Sequence, residues 1–131
     1  MNIFKHKESL STGARGEKAA LNYLKKQGYK ILETNYFNPM GRRLGELDII
    51  AKDKEEIVFV EIKTRLNYNK NAPLPEESIT PKKLHKLNKI ASFYITKNHL
   101  FGVPYRFDAI TILAEKENNS AKLKHLKNVF L

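Results

Sequence analysis

The sequence contains no cysteine, which excludes disulfides, thiolate metal sites and cysteine nucleophiles together. It has no apolar run of the roughly 20 residues that a membrane-spanning helix needs. Charge interrupts the opening MNIFKHKESL before a signal-peptide core can form. These absences point to a cytoplasmic protein with no membrane partner. The four histidines, His6, His85, His99 and His125, share no ligand spacing, so no zinc site is expected. P-loop, dinucleotide and serine-nucleophile motifs are missing too. The last scarcity is acid: 14 Asp and Glu face 24 Lys and Arg, for a formal net charge of +10. On so small a body the expected partner of that charge is a polyanion, and nucleic acid comes first.

The acids that are present are gathered in one place. Seven of the 14 lie between residues 32 and 63, which carry a net −2, while residues 1–31 carry +5 and residues 64–106 carry +6. Carboxylates in a phosphate groove repel the ligand unless a divalent cation sits between them. The distribution therefore points beyond plain binding, towards catalysis. At 131 residues, with no repeat, low-complexity tract or linker, residues 1–131 read as a single domain able to bury its own core, with a disordered start over residues 1–11.

Residues 12–27 read as a helix with Ala20, Leu21 and Leu24 on one stripe and Gly28 as its stop. Tyr29 to Tyr36 alternates as a strand, and Asn38 to Gly45 is rich in turn residues. Glu46 to Ala51 and Ile57 to Lys63 are strands joined by the short turn KDKEE, which favours an antiparallel hairpin. IVFVEIK is apolar on both alternating faces up to Glu61, as in a strand buried on both sides. After a long loop over 64–80, Thr80 caps a helix with Pro81 at its first position, running to about Asn98. Tyr105 to Ala114 and Leu123 to Phe130 complete the set. The order predicts an α/β fold, a mixed sheet with helices packed on it.

Asp48 on one strand, with Glu61 and Lys63 on its hairpin partner, is the sharpest chemical feature. Alternation puts Glu61 and Lys63 on the same face, roughly 7 Å apart, and Glu46 with Asp48 likewise. If the register brings the pairs together, carboxylates and a lysine converge at the end of a buried hairpin. Such hard oxygen ligands suit Mg²⁺ or Mn²⁺, and the lysine can orient or help deprotonate a water, or neutralise transition-state charge. The plainer alternative is a cross-strand ion pair worth about 1 kcal/mol or less. Glu17 lies on the helix stripe that faces the sheet, where a glutamate is costly unless paired or metal-bound. Its blander role is to stabilise a helix N-terminus. Gly13, Ala14 and Gly16 beside it permit close approach of sheet or ligand. Lys82, Lys86 and Lys89, with Lys83 beside them, form a stripe that can follow a phosphate backbone or simply face solvent. Arg42, Arg43, Arg65 and Lys70 lie next to the acidic hairpin, where they can clamp flanking phosphates. Tyr68 can stack on a base. Asp108, paired with Arg106, receives no catalytic role.

Taken together, GARGEKAALNYL, GELDIIA, VFVEIKTR, the P-K-K-L helix and YRFDAITI resemble the YraN family of bacterial proteins over nearly the whole chain. That family is similar to Holliday-junction resolvases and belongs with the PD-(D/E)XK nuclease superfamily. The resemblance implies a restriction-endonuclease-like core, a central mixed sheet flanked by helices, whose chemistry is metal-dependent phosphodiester hydrolysis. Carried onto this chain, it makes Glu17 the helix glutamate, Asp48 the metal-binding aspartate, and Glu61 with Lys63 the E-x-K pair. The Ile62 carbonyl becomes a further metal ligand. The proline that precedes the superfamily's aspartate is Leu47 here, which makes Glu46 an additional candidate ligand. By analogy with resolvases, which pair to address two strands, a homodimer is implied.

The leading expectation is thus a Mg²⁺- or Mn²⁺-dependent endonuclease acting on DNA, branched or otherwise structured. The alternative is a nucleic-acid-binding module that keeps the fold without the chemistry. A basic, assembly-associated RNA binder with structural acids is a third. All that is enzymatic here requires the Asp48 and Glu61 carboxylates to meet.

Overall fold

Ala20 and Leu24 are fully buried, and the segment that spaces them helically folds as α1, Thr12–Lys26. The structure is a computed structural model and describes residues 12–39, 45–66, 80–115 and 120–129. Gly28, at φ +93°, closes α1: its N–H reaches the Lys25 carbonyl and that of Tyr29 the Leu24 carbonyl. This paired closure needs a left-handed residue, which glycine supplies without strain. The chain continues as β1, Lys30–Phe37, β2, Glu46–Asp53, and β3, Glu56–Leu66. Then come α2, Pro81–Lys97, β4, Tyr105–Glu115, and β5, Ser120–Leu126. The Thr80 hydroxyl accepts from the Lys83 N–H at 3.1 Å, with Pro81 in the first turn, as the sequence predicts.

The five strands lie in chain order in one sheet. β1–β2, β2–β3 and β4–β5 are antiparallel, while β3–β4 is parallel, with α2 in the crossover. One helix packs on each face. α1 covers Ile49, Ala51, Val58, Val60, Ile110 and Ile112. α2 lays Leu87, Ile90, Ala91 and Tyr94 over Leu47, Ile50, Ile57, Phe59 and Phe107. The fold is α/β, a central mixed sheet flanked by helices, consistent with a restriction-endonuclease-like core. Ile57 to Val60 of the central strand are buried throughout, which is why IVFV is apolar on both faces. Among the described residues, no helix is long and apolar enough to cross a membrane.

Three strands differ most from the sequence reading, β2 by running on from Ala51 to Asp53. β3 continues past Lys63 to Leu66, drawn out by its parallel pairing with β4 as far as Leu66↔Ala114. β5 begins at Ser120 and stops at Leu126 rather than spanning Leu123 to Phe130. Beyond it, Asn128 turns at φ 57°, and its N–H goes to the Asp108 carboxylate instead of a sheet ladder.

Candidate functional site

β2 changes phase at Asp48. Strict alternation would put Leu47 and Ile49 on one face, yet Leu47 packs beneath α2 and Ile49 beneath α1. The β2–β3 ladder ends at this level, its last pair being Ile49↔Val60. The strands part, and Asp48 reaches into the gap: its Oδ2 accepts the Ile62 N–H at 2.7 Å. A side chain here replaces a ladder bond, which fixes the carboxylate between the strands. Across on β1, Asn35 sits between the pairs Thr34↔Ile49 and Tyr36↔Leu47. Its backbone is left-handed, φ 50°, a conformation asparagine tolerates better than most residues.

Four sequence-predicted groups converge on this gap. The Asp48 carboxyl is pushed up to about 7, first by burial and then by the neighbouring Glu61 carboxylate. Its hydrogen bond from Ile62 pulls the other way, and Glu17 adds to the upward pressure. Glu61 is itself buried. Glu17, half-buried at the start of α1, is held by the Asn35 amide, whose Nδ2 donates to Oε1 at 2.7 Å. Lys63 lies beside the pair. Burial and the adjacent Lys83 ammonium lower its pKa, while Glu61 and Asp48 oppose that shift. Gly16 lets α1 settle directly on Thr64 of β3; a Cβ there would stand 3.0 Å from the Thr64 Cβ.

Two cavities open on either side. A hollow of about 350 Å³ under α1 is lined by Gly13, Glu17, Asp48, Ile62, Lys63 and Thr64. On the α2 side lies a cleft of about 430 Å³, where Glu46 and Glu61 meet Lys82, Lys83 and Lys86. Glu46 therefore joins Glu61 and not the hollow that holds Asp48. Lys83 is ion-paired to Glu61, Nζ to Oε1 at 3.6 Å. Lys82 and Lys86 are exposed, and Arg65 is half-buried on β3. Arg42, Arg43, Tyr68 and Lys70 lie outside the described residues. Asn35 was missed at the sequence level: only the backbone break opposite Asp48 marks it, and a break of that kind leaves no periodicity to read.

The donor set suits Mg²⁺ or Mn²⁺, which usually take one or two carboxylates and keep several waters. Two adjacent carboxyls, one held near neutrality, form an anionic pair that a divalent cation would neutralise. Among the described residues no three His, Cys, Asp or Glu side chains are grouped as a metal cage. Such an ion would therefore rest on two carboxylates, backbone and solvent.

A separate polar cluster lies towards the C-terminal end of α1. Asp108 has no exposed surface. It accepts from Arg106 Nε at 2.9 Å and Nη2 at 3.2 Å, and from the Asn128 N–H at 3.0 Å. His125 Nε2 stands 2.7 Å away, with its Nδ1 3.0 Å from the Tyr23 hydroxyl. Arg106 also bonds Glu56, the Tyr29 hydroxyl and Asp53. With its partners filled, this cluster is a brace.

Comparison with known proteins gives a consistent likeness. The model of the uncharacterised protein family UPF0102 matches residues 16–112, a span that runs from Gly16 beyond every group in the gap. A UPF0102 protein of Clostridioides difficile is 45% identical over 119 residues, 90% of this chain and 95% of that protein. One from Clostridium acetobutylicum is 40% identical over 125 residues, covering 95% of this chain and 98% of the relative. A third, from Clostridium botulinum, is 43% identical over 119 residues, 90% and 92% of the two chains.

Proposed function

Because the chain belongs to the uncharacterised protein family UPF0102, a name that carries no activity, we propose its function from the site itself: a Mg²⁺- or Mn²⁺-dependent endonuclease hydrolysing phosphodiester bonds in DNA, branched or otherwise structured. One observation carries this reading. Asp48 and Glu61 meet where β2 and β3 part, with Lys63 beside them and lysines on α2 lining the adjoining cleft.

Asp48 and Glu61 would hold the metal, with the Ile62 carbonyl as a further ligand; when bound, the ion would supply charge neutralisation at phosphate and a more acidic water. Lys63, whose proton affinity is already lowered, orients the attacking water and takes or returns its proton. Glu17, steered by Asn35, completes the acidic side of the hollow. Lys82, Lys86 and Arg65 hold flanking phosphates, a task shared with Arg42, Arg43 and Lys70. DNA makes the bacterial cytoplasm the working compartment, and a homodimer would address two strands of a junction.

The test is incubation of the full chain with Mg²⁺ or Mn²⁺ and junction, flap and linear DNAs. At least one is cut, and Asp48→Ala and Lys63→Ala each abolish cutting while leaving binding largely intact. Cleavage that persists in both variants sinks the assignment. One observation favours the rival, a binding module without chemistry: Glu61 already has a cation, Lys83. That module binds DNA or RNA in a salt-sensitive way, with no heat on titration with Mn²⁺.

A further inference from the structure

We propose that Lys83 is an exchangeable counter-ion, a positioning residue that occupies Glu61 until a divalent cation replaces it and so sets the metal affinity of the site. The inference rests on the metal-site reading above. At 3.6 Å the Lys83–Glu61 contact is longer than a hydrogen bond of either group, so attraction of charge alone holds it. The Glu61 side chain is 10% exposed and that of Lys83 30%. The acid is thus fixed inside while the lysine has a way out to solvent.

The two ends of Lys83 differ. Its backbone is pinned by the Thr80 cap at 3.1 Å, whereas its ammonium rides on a flexible four-carbon stem. Lys63 crowds that ammonium beside the Glu61 carboxylate, so departure of Lys83 also relieves a like-charge contact. The cleft that Lys83 and Glu61 line also holds Lys82 and Lys86, so a phosphate bound there would receive the released ammonium. A cation arriving at Glu61 must either displace Lys83 or share one carboxylate with it, and like charges at one carboxylate repel. Engagement of a polynucleotide and loading of the metal are therefore linked through this side chain.

Calorimetric titration of the metal-free full chain with Mn²⁺, without DNA, tests the idea. Lys83→Ala lowers the Mn²⁺ dissociation constant by about fivefold, the scale of a partly exposed ion pair, and Lys83→Arg stays near wild type. Unchanged or weaker Mn²⁺ binding in Lys83→Ala, with normal binding in wild type, overturns the proposal and leaves the metal reading standing. Absence of Mn²⁺ binding in every protein removes both. Should Lys83→Ala fold poorly by circular dichroism, Lys83→Gln keeps most of the stem and is read the same way. Independently, the Lys83 Nζ resonance of ¹⁵N-lysine protein moves in step with Mg²⁺ saturation; a resonance that stays still overturns the exchange.

Discussion

Asp48 is placed where its charge is unwelcome without a cation, and the consequence for stability has a definite sign. Its carboxyl binds a proton more tightly folded, at about 7, than at its ordinary 3.8. The stability it contributes is therefore full below its ordinary value and is lost as pH rises through 7. Asparagine keeps an oxygen for the Ile62 N–H and carries no charge. In EDTA at pH 8, Asp48→Asn melts higher than wild type by about 3–8 °C, and the gap closes only as pH falls below the ordinary carboxyl value of 3.8. Saturating Mn²⁺ stabilises wild type alone and shrinks or reverses the difference. Differential scanning fluorimetry reads all three conditions. A variant that melts lower than wild type in EDTA at pH 8 removes the electrostatic penalty from the account of the site.

At the scale of elements, helix and strand positions were legible wherever the sequence repeats a period. The stripe of Ala20 and Leu24, the Thr80–Pro81 start and the doubly apolar IVFV each impose one solution. Glu61 and Lys63 were legible for the same reason, since a polar break at the end of a fully apolar strand stands out. What could not be read is the parting of β2 from β3, because it depends on where the ladder stops and not on composition. Asn35 and the assignment of Glu46 to the α2-side cleft follow from that break. The sequence reading carries β5 on to Phe130, whereas the Asn128 N–H is claimed by the Asp108 carboxylate of neighbouring β4. Gly16 offers a test of how α1 is seated. Helix propensity alone would make alanine better by about 1 kcal/mol. A Cβ there, however, falls on the Thr64 hydroxyl and stands 3.0 Å from its Cβ, so α1 must lift from β3. Gly16→Ala destabilises by roughly 1–3 kcal/mol, and adding Thr64→Ala recovers part of it. Urea midpoints check this, and a neutral Gly16→Ala would mean that the helix is free to shift.

Among the described residues, two polar clusters lie towards opposite ends of α1. Near its start, carboxylates sit beside an open lysine-lined cleft; towards its end, acids and bases are matched and closed. Under the proposed nucleic-acid reading, the open end would set the salt dependence of binding: Lys82→Ala and Lys86→Ala would each flatten the slope of log affinity against log salt by about one. The closed end holds the sheet together, since Arg106 and Asp108 of β4 engage Asp53 of β2, Glu56 of β3, His125 of β5, and Tyr29 just before β1. Burial works against the Asp108 charge, but His125, Arg106 and the Asn128 N–H outweigh it and hold the carboxyl below its ordinary value. The sign is thus opposite to that of Asp48. Stability from Asp108 is present above about pH 4 and is lost as pH falls through its lowered folded value. Asp108→Ala leaves Arg106 facing a buried gap and costs roughly 3 kcal/mol near neutral pH. Measured by urea unfolding across pH, that deficit narrows below pH 4, because wild type then protonates the group the variant lacks. A deficit that stays constant down to pH 2 would trace the loss to packing and deny the brace its electrostatic character.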